Sequence, residues 1–396
     1  MKTESKIHDT EDPKIELGTE PASGEQIPLE QKYREQMRQI VSQKIELPIS
    51  TLSDMIEDQI DLSPGFQRRG RWDTDRRSRF IESIIMNVPI PPVFLGEDDY
   101  GKYVVLDGRQ RLTAVHEFLR NAYALKGLKV WTELIGSRWL DLQKKKLDRT
   151  LTRRFIPAVV ILKESSAEVK YDVFDRLNTG GVIAEPMEIR NAIYRGTFTK
   201  LLHDLSDEKV FRQLWDIPLN DEDRENDATY RRMDDVELIL RFFALRDVSK
   251  MDMNFRDYLG EFMRVRNEEY KKDSTLLDLD RELFNRASQN TWTVFKGDAF
   301  RRPQADNTFR STRSAPLADA VMIALADVPT EAVHNASAEY IRNKFRELCL
   351  NDEGFKKAIG TGTNGKGAIA YRVQAMRDVV EQAKAIQAPQ LPGTEH

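Results

Sequence analysis

The sequence predicts an α+β domain followed by an all-α domain. Between about residues 48 and 185, short apolar runs bounded by turn residues alternate with helical patterns. From Pro186 onward, long amphipathic stretches follow one another with no strand pattern of comparable strength. Residues 1–30 hold no aromatic residue and many Glu, Pro and Ser, too little apolar surface to offset the entropy of ordering. These observations divide the chain into a disordered tail at 1–30, an α+β domain at 31–195 and a helical domain at 196–390.

A helical stretch is expected from about Gln31 to Ile45, and Ser50 or Ser53 can cap a short helix through Ile56. Asp73-Thr74-Asp75 opens a stronger helix, with Phe80, Ile81, Ile84 and Ile85 on one face. Val88-Pro89-Ile90-Pro91-Pro92 ends it, since proline cannot continue a helix. Val93-Phe94-Leu95 and Tyr103-Val104-Val105-Leu106 read as two strands joined by a turn at Asp98-Asp99-Tyr100-Gly101. After Asp107-Gly108 the pattern turns helical through Leu112, Val115, His116 and Leu119, and a structural role is expected for His116 within that helix. Another strand spans Phe155 to Leu162, and a helix from about Ala167 to Leu177 stops at Asn178-Thr179-Gly180-Gly181. Pro186 suits the first turn of the next helix. The amphipathic stretches beyond it are 229–246, 254–271, 276–295, 315–327, 337–350 and 368–387.

Composition narrows the function classes. The 396 residues carry 61 basic and 65 acidic side chains, a net charge of −4, so a uniformly basic nucleic-acid coat is excluded while a local basic face is not. The single cysteine, Cys349, cannot build a disulfide framework or a cysteine zinc site, and its apolar helical setting predicts a buried, inert thiol. A chain without disulfides, without a signal peptide and without a run of about 18 apolar residues is expected in the cytoplasm, with no membrane partner.

The strongest chemical signal is Leu106-Asp107-Gly108-Arg109-Gln110-Arg111-Leu112-Thr113. A strand ends, a glycine turns the chain, and a helix begins whose first-turn N–H groups favour an anion. Arg109 and Arg111 add forked, permanently charged donors that suit phosphate oxygens. Asp107 can hold a magnesium ion or another divalent cation, or orient a water, and Gln110 can position that water or contact a base. On this reading one carboxylate and two guanidiniums converge on an anion pocket. The same spacing also suits an ordinary capped turn with both arginines solvated. A second cluster, Phe66-Gln67-Arg68-Arg69-Gly70-Arg71-Trp72, lies in a segment (63–80) with six arginines against two aspartates. Arginine interleaved with aromatics suits phosphate and base contact.

Together these motifs resemble the N-terminal domain of GmrSD-type modification-dependent restriction endonucleases. The order matches as well: the Gln-Arg segment, a helix, Ile90-Pro91-Pro92, a hairpin, the Asp-Gly motif, then Phe174-Asp175-Arg176-Leu177-Asn178-Thr179-Gly180-Gly181. The resemblance covers about residues 48–200 and implies a ParB/sulfiredoxin-like fold that binds and hydrolyses an NTP in defence against foreign or modified DNA. By motif match, Asp107, Gln110 and Arg111 take the catalytic positions. Gln67, Arg68, Gly108, Arg109, Thr113 and Asn178 face the nucleotide. The implied partners are a nucleotide, DNA and a separate nuclease subunit. Where the family has Gln, this chain has Arg109, which adds charge and changes the phosphate load or nucleotide preference. The HNH-type nuclease often paired with this domain is not expected here, because the five histidines (8, 116, 203, 334 and 396) form no His…Asn…His arrangement.

Candidate DNA-binding residues are Arg69 and Arg71, Lys144 and Lys145 within the basic run 138–154, and Arg301 and Arg302. The basic run comprises Arg138, Lys144, Lys145, Lys146, Arg149, Arg153 and Arg154 against two acids. Residues 204–237 carry twelve acids against five bases, a segment that repels DNA or docks on a basic patch. Gly360-Thr361-Gly362-Thr363-Asn364-Gly365-Lys366-Gly367 approaches a P-loop but has Gly367 where a Ser or Thr would hold magnesium, and a helical segment precedes it. Two further functions compete with the NTPase: a non-catalytic DNA-binding regulatory module, and a metal-dependent nuclease that would recruit Asp98, Asp99 or Asp175 beside Asp107.

Overall fold

A computed structural model describes residues 41–62, 72–97, 101–165, 173, 186–360 and 362–385. The α+β part is built on a five-stranded mixed sheet of order β1-β5-β3-β4-β2, formed by Ser42–Pro48 (β1), Ile60–Asp61 (β2), Val93–Glu97 (β3), Tyr103–Asp107 (β4) and Phe155–Ile161 (β5). β5 lies antiparallel to β1, with Ser42 opposite Ile161 and Pro48 opposite Phe155, and parallel to β3, with Val93 opposite Ala158. β3 and β4 form the expected antiparallel pair, and β2 runs parallel to β4. The turn expected between β3 and β4 lies mostly outside the described residues.

Period-two alternation sends the two faces of each strand into different cores. Val93, Leu95, Val105, Ile156, Ala158 and Val160 pack on one side against Ile49–Asp58 (α1), Thr74–Ile85 (α2) and Arg109–Leu119 (α3). Val104, Leu106 and Ile161 pack on the other side with Ile189 of Pro186–Ile193 (α6, after the short helices α4, Trp139–Lys144, and α5, Arg149–Thr152). α2 begins as expected: the Asp73 carboxylate accepts from the Arg76 N–H at 2.7 Å. Its buried Glu82 carboxylate accepts from the N–H groups of Lys129, Val130 and Trp131, tying the loop after α3 to the helix.

Four sequence expectations change. Residues 42–45 belong to β1 rather than to a helix, because the open edge of β5 supplies backbone partners and Ile45 and Leu47 alternate toward the core. Neither Ser50 nor Ser53 caps α1, whose N-cap is Pro48. Ser53 instead pairs with His116 Nδ1 at 3.0 Å, inside the fold. The stretch 315–327 is not amphipathic: Leu317 to Ala326 are all buried. The C-terminal part is not all-α, because Arg301–Pro303 (β6) and Phe309–Arg313 (β7) form a hairpin whose connecting turn includes Asn307 at φ 69°. Its strands are short, half-buried in β6 and exposed along the middle of β7, and their residues are mostly polar, so no apolar alternation marks them. The helix expected at 167–177 falls outside the described residues except for Val173, which is helical.

The remaining helices are Thr197–Ser206 (α7), Lys209–Trp215 (α8), Asp221–Asn226 (α9), Ala228–Arg231 (α10), Asp234–Ala244 (α11), Phe255–Lys272 (α12), Thr275–Phe295 (α13), Ala315–Ala326 (α14), Asn335–Asn351 (α15), Glu353–Ala358 (α16) and Lys366–Lys384 (α17). All but α9 and α10, which bury no residue, share one large core in which α14 is central, in company with Phe284, Val294, Val373 and Met376. Met187 of α6 joins this core while Ile189 joins the sheet, so one short helix is shared between both. Beneath the surface, Asp319 of α14 accepts from Arg241 of α11 and Arg372 of α17. Arg372 also donates to the carbonyls of Ala358 and Thr363 and so fixes the glycine-rich loop before α17. Cys349 is half-buried on α15, and burial pushes its thiol up to about 12, as an inert thiol requires.

Candidate functional site

The turn from β4 to α3 has the strand–glycine–helix form expected. Gly108 is the N-cap at φ 92°, and a Cβ there would collide with Val93 Cγ1, so both the backbone and β3 demand glycine. No side chain caps α3, and its first turn is left to other partners.

The two arginines separate. Arg111 Nη2 donates to Asp107 Oδ2 at 2.6 Å, while Nη1 donates to the Pro91 carbonyl and, at 3.3 Å, to that of Pro92. Arg109, two residues earlier and so about 200° away around the helix, lines a different cleft together with Thr113. The expected convergence of one carboxylate with two guanidiniums is therefore corrected to a pair, Asp107–Arg111, with Arg109 turned aside by helical geometry. Gln110 takes a third direction: its Oε1 accepts from the Trp72 N–H at 3.1 Å. The Trp72 ring meets Phe80 edge-on, with centroids 5.7 Å apart, and carries the Arg76 guanidinium 4.7 Å above it.

The cleft on the Arg109 side has a volume of about 510 Å³ and lies between α1–β2 and α3. Lys102 and Arg109 bring positive charge to it, and Glu57, Asp58, Asp61 and Glu117 bring negative charge, Glu117 being paired with Arg77. Asp61 is held by Arg195 at 2.5 Å. His116 also lines this cleft. Burial lowers its pKa, with Arg120 adding to the effect against Glu57 and Glu117, which favours the neutral ring paired with Ser53. The structural role expected of His116 is the one observed.

Gln67, Arg68, Arg69, Arg71 and Asn178 lie outside the described residues, as do Asp98, Asp99 and Asp175. Among the described residues no group of three or more His, Cys, Asp or Glu side chains could hold a metal. Four of the candidate DNA contacts lie among the described residues. Lys144 stands 3.8 Å from Asp141 and Lys145 donates to Ser137. Arg301 pairs with Asp216, and Arg302 donates to the Ile359 carbonyl, so both are tied into the helical part. Lys366 of the near-P-loop donates to the Ser249 carbonyl, and helix α16, not a strand, precedes that loop. Nothing in the spacing of the Asp-Gly motif signals that the Pro91 carbonyl anchors Arg111. The proline run that ends α2 is the only hint.

Residues 49–195 match the family described as GmrSD restriction endonuclease, N-terminal domain. This segment is a GmrSD N-terminal domain. The match takes in α1, the β3–β4 pair, Asp107 to Thr113, β5 and α6. Neither the curated proteins nor the solved structures yield a match to the chain. The GmrSD N-terminal domain points to a component of a restriction or defence system and, through that, to an encounter with DNA. No helix among the described residues is long and apolar enough to cross a membrane.

Proposed function

We propose that the chain binds and hydrolyses a nucleoside triphosphate as part of a DNA restriction system, and that its GmrSD N-terminal domain has a ParB/sulfiredoxin-like fold. The observation that carries the reading is the 510 Å³ cleft at the start of α3, lined by Arg109 and Thr113 and roomy enough for a nucleotide. Arg109 and Lys102 suit phosphate oxygens, while the carboxylates of Glu57 and Asp58 in the same lining suit hydroxyl and amino groups. Asp107 does not line this cleft, so the reading requires the triphosphate to extend past the first turn of α3; there Asp107, 41% exposed and with one carboxylate oxygen beyond its Arg111 partner, would supply one ligand to a magnesium ion. Such an ion, when bound, neutralises phosphate charge. Arg111 holds Asp107 in place through its bond to the carboxylate and its anchor on Pro91.

Phosphate release from each of the four common NTPs, with magnesium, tests this on the full chain. Asp107→Ala should abolish turnover with the fold intact, and Arg109→Gln should raise KM about tenfold with less effect on kcat. A wild-type chain that neither binds nor turns over any NTP would falsify the reading. A second reading, a regulatory nucleotide switch without turnover, is favoured by the Arg111 anchor, which gives that arginine a structural role. It predicts tight NTP binding with no phosphate release.

A further inference from the structure

A second cleft of about 560 Å³ lies where α2 runs out and β5 begins. Val88, Pro89 and Ile90 form one wall, and Arg153, Arg154 and Phe155 form the other. Phe155 is 51% exposed and Val88 45%, an apolar pair that folding leaves in water. Among the described residues no carboxylate lines this cleft. Neither arginine enters an ion pair there, and the buried Nε of Arg154 has no hydrogen-bond partner. Several other arginines are spent on carboxylates: Arg111 on Asp107, Arg301 on Asp216, Arg241 and Arg372 on Asp319. Arg149, one helical turn before Arg153 on α5, is exposed and extends the same line of positive charge.

An open aromatic face beside unspent guanidiniums matches an anionic chain that carries flat rings. We infer that this cleft binds an unpaired nucleic-acid strand, with Phe155 as the stacking platform for a base and Arg153 and Arg154 on the flanking phosphates. A duplex hides its base faces, so the aromatic wall selects single strands. The site shares no lining residue with the nucleotide cleft. Its wall residues Val88, Pro89 and Ile90 run on in sequence to Pro91 and Pro92, whose carbonyls hold Arg111.

Fluorescence anisotropy of the full chain with labelled oligothymidylate of about 12 nucleotides tests the inference. Phe155→Ala should weaken binding roughly tenfold without altering its salt dependence. The double change Arg153→Ala, Arg154→Ala should lower the slope of log affinity against log salt by about 1.4. Phe155→Trp keeps the platform and should keep or raise affinity, which covers the case in which the alanine variant folds poorly. The inference is overturned if no binding occurs, or if binding ignores all three variants. It is also overturned if duplex or a polyglutamate peptide binds equally well through the same residues, or if Phe155 drives self-association in sedimentation. NTP turnover is measured in parallel on each variant, so failure of the nucleotide reading and failure of this one are separable.

Discussion

Glu82 shows how one side chain can order a loop. Burial alone would raise its carboxyl pKa, but the N–H groups of Trp131, Val130 and Lys129 overcome that and hold it below the ordinary value. Its folded value lies under its unfolded one of about 4.3, so its contribution to stability is full above that pH. The contribution fades as pH falls through the folded value. Urea titrations from pH 7 to 3 should show Glu82→Gln less stable than wild type at pH 7 by about 1–3 kcal/mol. The gap should narrow toward pH 3. A gap that is constant with pH would remove the carboxylate charge from the account. By contrast Arg195–Asp61, half-exposed on both sides, should cost under about 1 kcal/mol when either partner is replaced.

At the scale of elements, the β4–α3 turn is constrained by both its backbone and its neighbour. Gly108→Ala combines a left-handed φ with a collision against Val93, and should lower stability by about 2–4 kcal/mol. A thermal melt unchanged by this substitution would show that β3 yields easily. The junction is legible in the sequence because its residues obey local rules: an apolar strand, a glycine and a helix-period run. The helices α2 and α3 and the β3–β4 pair are legible for the same reason. β1 is not, since its Lys, Gln and Glu favour no strand and only the edge of β5 recruits them. The divergence of Arg109 from Arg111 is implicit in a period of about 3.6 residues. The partners Pro91 and Trp72, 20 and 38 residues from theirs, depend on tertiary structure that spacing cannot supply.

For the whole molecule, the buried Arg241–Asp319–Arg372 group joins three helices and the loop before α17. It places two cations on one anion, with side chains exposed 6%, 2% and 0%. Asp319→Ala strands both guanidiniums and should cost about 3–5 kcal/mol, read as a lowered urea midpoint. Because α6 contributes Met187 to the helical core and Ile189 to the sheet cluster, that loss should be felt in both parts. A melt in which the sheet-bearing part keeps its midpoint would show the two parts unfolding independently.

The family match opens at residue 49, one position past the end of β1. A fragment cut to the matched span would therefore lack the strand that covers β5 and would display a bare row of amide and carbonyl groups beside Ile156, Ala158 and Val160. Such a fragment should precipitate or pair edge to edge, whereas one beginning at residue 41 should stay monomeric.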